Sequence, residues 1–161
     1  MQQYHLQNRP NRELKFDSEI KEILKNGKFT VISMCRDNEP YIVTLSYGFD
    51  TDHNSIYFHC STHGLKLDFI KSNPKVCATV IEDGGYALNE CGHNYRTAVF
   101  WGNIKVVTNL EEKMYGMNIL LNHLENDSAL IADKLSKSNE YYSKMEILRL
   151  DIIQIHGKAG R

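Results

Sequence analysis

The sequence lacks a dominant charge: 19 lysines and arginines stand against 20 aspartates and glutamates, a formal balance of -1. A chain so balanced has no molecule-wide field to draw a polyanion, so no nucleic acid and no anionic membrane surface is expected as partner. Also missing is any run of about 18 apolar residues, the length a membrane-crossing helix needs. The opening "MQQYHLQNRPNRELKF" has no apolar stretch of a secretion leader, and a cytoplasmic location is the expectation. No two cysteines form a CxxC pair, for Cys35, Cys60, Cys77 and Cys91 are dispersed. In a chain without a leader, such cysteines read as free thiols rather than disulfides. His59, Cys60, Cys91 and His93 would make four zinc ligands if a fold joined the two pairs, but their spacing matches no finger or ribbon, and no metal is expected. Internal repeats and low-complexity tracts are absent too. The 161 residues suffice for one domain with a sizeable core and are short for two, so residues 1–161 are expected to fold as a unit, with 1–15 as a polar arm.

What the chain does have is periodicity. "DSEIKEILKNG" places Ile20, Ile23 and Leu24 on one helical face, with Asp17 or Ser18 as cap and Gly27 as a left-handed stop,. From Lys28 the period becomes that of strands: "FTVISMC", "YIVTLSYGFD" and "SIYFHC" are separated by short turn-like segments and imply an antiparallel meander,. "GLKLDFIKSNP" offers two helical turns closed before Pro74, and "KVCATVIE" returns to strand,. After "DGGYALNECGHN", expected to be a loop, "YRTAVFWGNIKVV" is a long strand interrupted by Gly102. A glycine there marks a bulge or a close approach. "TNLEEKMYGMNILLNHL" is an amphipathic helix capped at Thr108 or Asn109, "SALIADKLSKSNEYY" is a further helical stretch, and "MEILRLDIIQIHGKAGR" alternates as a closing strand,. The expected architecture is mainly β, a small antiparallel barrel of about six strands with peripheral helices, because closure removes exposed edges.

The richest polar stretch is "IYFHCSTHGLKLDFI", residues 56–70. It leaves a strand at His59 or Cys60, turns through Ser61 to Gly64, and enters a helix near Leu65. A helix start carries unpaired N–H groups and partial positive charge, which suits a phosphate. Gly64 lets the backbone come close, Ser61 and Thr62 offer hydroxyls, and Lys66 adds an ammonium. Lysine in a first turn opposes the helix dipole unless an anion is present. The plain alternative is an ordinary surface lysine.

The segments "EPYIVTLSYGFD", "SIYFHCSTHGLKLDFIKSNPKVCATV", "YRTAVFWGNIKVV" and "LDIIQIHGKAGR" together resemble the pyridoxamine 5'-phosphate oxidase-like flavoproteins, and among them the 5-nitroimidazole-resistance branch. The most specific element is "IYFH", a small-residue turn and "GxKxxxIxxNPKV", in that order. The resemblance implies a six-stranded split β-barrel that forms a homodimer with FMN at the subunit interface. It implies that Val43, Thr44, Leu45 and Ser46 line the flavin ring. His59, Cys60 and Ser61 would follow at the ring edge and ribityl chain, and Lys66, with Gly64, would hold the phosphate. Tyr95, Arg96 and Thr97 would reach the flavin from the neighbouring strand or subunit. Where many relatives have a basic residue before that lysine, this chain has Leu65, so one phosphate contact is missing. The long C-terminal features that bind pyridoxamine phosphate are not evident, which disfavours vitamin B6 oxidation. The expected activity is reduction of nitroaromatic or other small electrophilic compounds. His59 is the candidate catalytic proton donor, against the alternative that it bonds a backbone carbonyl. Cys60 is either a reactive thiol or a packing residue. A flavin-binding protein without turnover and a haem-binding or haem-degrading split barrel stay open as rival readings.

Overall fold

The computed structural model describes residues 9–136 and 140–160. The described residues form eight strands: β1 (Glu13–Leu14), β2 (Phe29–Arg36), β3 (Glu39–Ser46), β4 (Gly48–Asp50), β5 (Ser55–Ser61), β6 (Lys75–Ala87), β7 (Gly92–Val106) and β8 (Met145–Gly160). Between them lie α1 (Asp17–Asn26), α2 (Leu65–Ser72), α3 (Leu110–Leu124), α4 (Ser128–Ser136) and α5 (Glu140–Ser143). The strands pair in the order β3-β2-β6-β7-β8-β5-β4, with β1 on β8, every pair antiparallel. The sheet curls until β3 comes near β5, yet no ladder joins these two strands. This is a split barrel of eight strands rather than six, the additions being the short β1 and β4. The end of the segment expected as a polar arm supplies β1, where Glu13 and Leu14 pair with Lys158 and Gly157; residues 1–8 lie outside the described part.

The core follows from the alternation of the strands. Ile32 and Met34 of β2, Ile56 and Phe58 of β5, Val76, Ala78 and Val80 of β6, and Phe100 and Ile104 of β7 point inward and are buried. Ile20, Ile23 and Leu24 of α1 join this cluster at the Val80 end, and Leu67, Phe69 and Ile70 of α2 join it near Met34 and Val76. Removing such side chains from water is the main favourable contribution to folding, roughly 1.5–3 kcal/mol for each large apolar residue. A second cluster covers the outer face of β5 and β8: Met117, Leu120 and Leu121 of α3, with Tyr142, pack on Tyr57 and Ile147. Asn109 caps α3 by accepting the Glu112 amide, as its sequence position suggested.

Three local expectations change. α1 begins after Phe16, with neither Asp17 nor Ser18 capping it. Gly27 has φ -63°, so it is no left-handed stop; a Cβ there would sit 2.5 Å from Val80 and 2.6 Å from the Tyr47 hydroxyl, so packing requires the glycine. The segment expected as a loop is mostly hairpin, since Tyr86 and Ala87 pair with His93 and Gly92 beyond a bulge. That bulge is shaped by Asp83, whose carboxylate accepts the Gly85 amide at 2.7 Å, and Gly85 takes φ +86°. Gly102 does mark both a bulge and a close approach: the β7–β8 register shifts between Trp101 and Gly102, and a Cβ would lie 2.2 Å from the Asp151 carbonyl oxygen. The residue left out of the ladder is Ile153, 68% exposed, which is why β8 changes face there.

Candidate functional site

The split between β3 and β5 is where the sequence candidates converge. β4 pairs with β5 as Gly48 with Tyr57, Phe49 with Ile56 and Asp50 with Ser55. Carried back past Tyr47, that register sets Ser46 level with His59 and Thr44 level with Ser61. There the strands part, and all four side chains are exposed on the outer face. Period-2 alternation turns Val43 and Leu45 inward against the core and buries Cys60,. Those three therefore face a ligand at the split with backbone rather than side chain.

The turn after β5 ends at Gly64, which has φ +142° and serves as the N-cap of α2 without any side-chain cap bond. Glycine has no side-chain oxygen to offer; its carbonyl accepts the Leu67 amide at 2.9 Å, which leaves the Leu65 and Lys66 amides without a partner among the described residues and open to an anion,. The Lys66 ammonium points back across the turn, 3.9 Å from where a Cβ on Gly64 would stand. It has no carboxylate partner among the described residues and acts electrostatically on Cys60. Burial nonetheless pushes the Cys60 thiol up, and Lys66 only partly opposes this. A buried thiol held neutral is a packing group, not a ready nucleophile. Thr62 is engaged with His63, 2.8 Å from hydroxyl to Nδ1. The His59 ring has no hydrogen-bond partner among the described residues, so the backbone-carbonyl alternative finds no support.

Tyr95, Arg96 and Thr97 are not part of this cluster within one chain. They pair with Gly160, Ala159 and Lys158, whereas His59 pairs with Ile147 at the other end of β8. Thirteen residues of strand separate the two ends, roughly 40 Å of contour. The within-chain route is thereby removed and only a second subunit could bring them to the split. Arg96 is moreover held by Glu82 at 2.7 Å and Glu22 at 2.9 Å, which raise its pKa. Tyr95 lies under the Lys158 ammonium, whose bond and charge draw the phenol pKa down.

Two polar groupings were not foreseen. Asp50, nearly fully buried, accepts from the Tyr115 hydroxyl at 2.8 Å, the amides of Asp52 and His53, and the His53 ring at 2.9 Å. Burial alone would raise its pKa, but those bonds prevail and hold the carboxyl below its usual range. On the β6–β7 hairpin, His93 Nε2 lies 2.6 Å from the Asp83 carboxylate, beside the Tyr86 ring. A sequence read as loop there hides this cross-strand pairing. No group of three or more potential metal ligands occurs among the described residues, and no described helix is long and apolar enough to cross a membrane.

An open sheet curled around one core, split at β3 and β5, with a glycine-capped helix start at the split, defines the split-barrel class. The model for the pyridoxamine 5'-phosphate oxidase family matches residues 17–159. The chain belongs to that family. A candidate 5-nitroimidazole antibiotic resistance protein of Bacteroides thetaiotaomicron superposes with a TM-score of 0.79 at 18% identity, covering 92% of this chain and 86% of that one. An FAD- and haem-binding protein of Mycobacterium smegmatis gives 0.74 at 16% identity, over 93% and 74%. An uncharacterised protein of Rhizobium meliloti is 34% identical over 65 residues, 40% of each chain. At these identities the two structures establish the fold alone.

Proposed function

We propose that this chain binds FMN as a cytoplasmic homodimer and reduces nitroaromatic or other small electrophilic compounds. The observation that carries the reading is the helix start at the split: the open Leu65 and Lys66 amides, a left-handed-φ glycine and a Lys66 ammonium without a carboxylate partner among the described residues stand where Thr44, Ser46, His59 and Ser61 face outward. A phosphate satisfies the amides and the ammonium together, while the two strand edges provide a slot for a flat ring. FMN, when bound, supplies the electron transfer. His59, without a hydrogen-bond partner among the described residues, is the candidate donor of a proton or hydrogen bond to the substrate.

The dimer is supported by the outer face of β2, β3 and β6, which no described helix covers. Rows of outward residues cross it: Ile42, Ser33, Cys77 and Trp101 in one, Thr44, Val31, Thr79 and Val99 in the next. Phe29, Ile42 and Ile81 on this face are each more than half exposed. Large apolar groups gathered on one sheet face are what an isologous interface buries.

The test is the absorbance of the purified protein, followed by anaerobic reduction and addition of a nitroimidazole. The expected result is a flavin spectrum whose bleached form regains colour as the nitro compound is consumed. Bound flavin that reoxidises no faster with the nitro compound would leave a carrier or sensor. An intense Soret band would instead favour haem, a reading supported by the His59 imidazole, which has no hydrogen-bond partner among the described residues.

A further inference from the structure

α2 packs between β2 and β7, and its two flanks differ. Phe69 fills one of them, its ring centroid 5.0 Å from that of Tyr41 and the Arg36 guanidinium 4.5 Å above it. Leu67, two residues away and hence about 200° around the helix, faces the other flank, with Lys71 one turn further on. Between that flank and β7 runs a groove of about 460 Å³, floored by Leu67, Ile70, Ile104 and Val106 and bordered by Pro74. Its size and apolar floor are those of a ligand site.

The groove also opens onto a strand edge. Val107 donates to the Ile147 carbonyl at 2.8 Å, on the β8 side, so by the alternation of an antiparallel strand Ile104 and Val106 turn their backbone groups to the β6 side,. Ile104 donates there to the Pro74 carbonyl at 2.9 Å, but proline has no N–H to return,. Val106 lies one step further, where β6 has ended. The Ile104 carbonyl and both backbone groups of Val106 therefore have no backbone partner among the described residues. An open edge beside an apolar trough is what strand addition uses. The groove is positively charged as well: Lys71 and Lys105 line it without carboxylate partners among the described residues, and the Glu146 carboxylate is held by Lys113 at 2.9 Å.

We propose that this groove docks a short extended peptide that ends in an apolar residue and a free carboxylate. The peptide adds as a strand beside residues 104–108, roughly 13 Å of edge, which about four residues span. Its backbone pairs with Ile104 and Val106, its last side chain enters the trough, and its carboxylate meets Lys71 and Lys105. Charge complementarity selects this occupant: a basic or amidated segment would leave both lysines uncompensated, and a fatty acid would leave the strand edge unpaired. The site is separate from the β3–β5 split and does not depend on the flavin reading.

The probe is acetyl-Ala-Val-Leu with a free carboxylate, titrated into the full chain, with whatever flavin it carries, and followed by calorimetry and backbone amide NMR. Binding should be tighter than ~1 mM, with shift changes concentrated at Leu67–Lys71 and Ile104–Thr108 and none at Thr44, Ser46 or His59. The C-terminally amidated peptide should bind about tenfold more weakly or worse. The double variant Lys71→Ala, Lys105→Ala should show the same loss at an unchanged thermal midpoint, since both lysines are exposed,. In a strand, alternate amides face the edge, so N-methylation of the peptide's valine and of its leucine should act unequally, one weakening binding about fivefold or more and the other less than about twofold. Absence of any shift at Val106 up to ~5 mM peptide would overturn the proposal. Equal binding of the amidated peptide, or equal effects of the two methylations, would overturn it too. Octanoate binding as tightly as the peptide would make the groove a fatty-acid site, against the proposal.

Discussion

Replacing Lys66 by alanine tests the phosphate assignment by its size and its selectivity. The ammonium sits at the open start of α2, partly buried, and no carboxylate among the described residues competes for it. Its truncation therefore leaves no buried charge behind, and thermal stability should change by less than about 0.5 kcal/mol. A hydrogen bond to a charged group contributes about 1.5–3 kcal/mol. At roughly 1.4 kcal/mol per decade, the FMN dissociation constant should rise by roughly 10- to 150-fold. Riboflavin has the same ring and no phosphate, so its affinity should stay within about twofold of wild type. Flavin fluorescence titration of both ligands against both proteins gives the four constants needed. Raising the salt should weaken FMN binding to the wild type more than to the variant, because screening acts on the contact that the variant lacks. The converse change, Leu65→Arg, adds a guanidinium at an exposed site beside the same amides and should tighten FMN selectively,. Equal losses for FMN and riboflavin, or no loss for either, would refute the assignment.

Two further predictions concern the frame that holds the split. Gly102→Ala would force a Cβ against the Asp151 carbonyl, 2.2 Å away in the unrelaxed backbone, and opening the β7–β8 ladder should cost about 1–3 kcal/mol or more; an unchanged thermal midpoint would contradict the close approach. Tyr115→Phe removes one donor from the buried Asp50 carboxylate and should cost about 1–2 kcal/mol at neutral pH,. Because the folded pKa of Asp50 is depressed, its contribution is full above the unfolded carboxylate value of about 3.9 and fades as pH falls through the lower folded value. Urea midpoints should thus differ clearly between wild type and variant at neutral pH and converge as the pH is lowered through the depressed folded pKa of Asp50, and a difference that stays constant with pH would show that packing alone is responsible.

Much of this protein could be read from its residues alone. The alternation in "FTVISMC" and "SIYFHC" produced strands because inward Ile32, Met34, Ile56 and Phe58 share a face of the pleat, a property of neighbours in the chain,. The same local logic fixed α3 by its Asn109 cap and its buried Met117, Leu120 and Leu121. The helix start after Gly64, with Lys66 in its first turn, was also legible, since only adjacent residues define it.

What the tertiary structure decided depends on contacts between distant segments. Gly27 looked like a helix stop and is instead required by Val80 and Tyr47, 53 and 20 residues away. The hairpin that pairs His93 with Asp83 read as a loop because its register depends on a bulge shaped by one side chain. Above all, the fold put Tyr95–Thr97 and His59 at opposite ends of β8, a separation that no spacing in the chain reveals. Sequence dictates which faces are apolar and where helices begin, because those are short-range preferences of backbone and side chain. Which residues share an end of the sheet is settled only when the strands have paired and curled around their core.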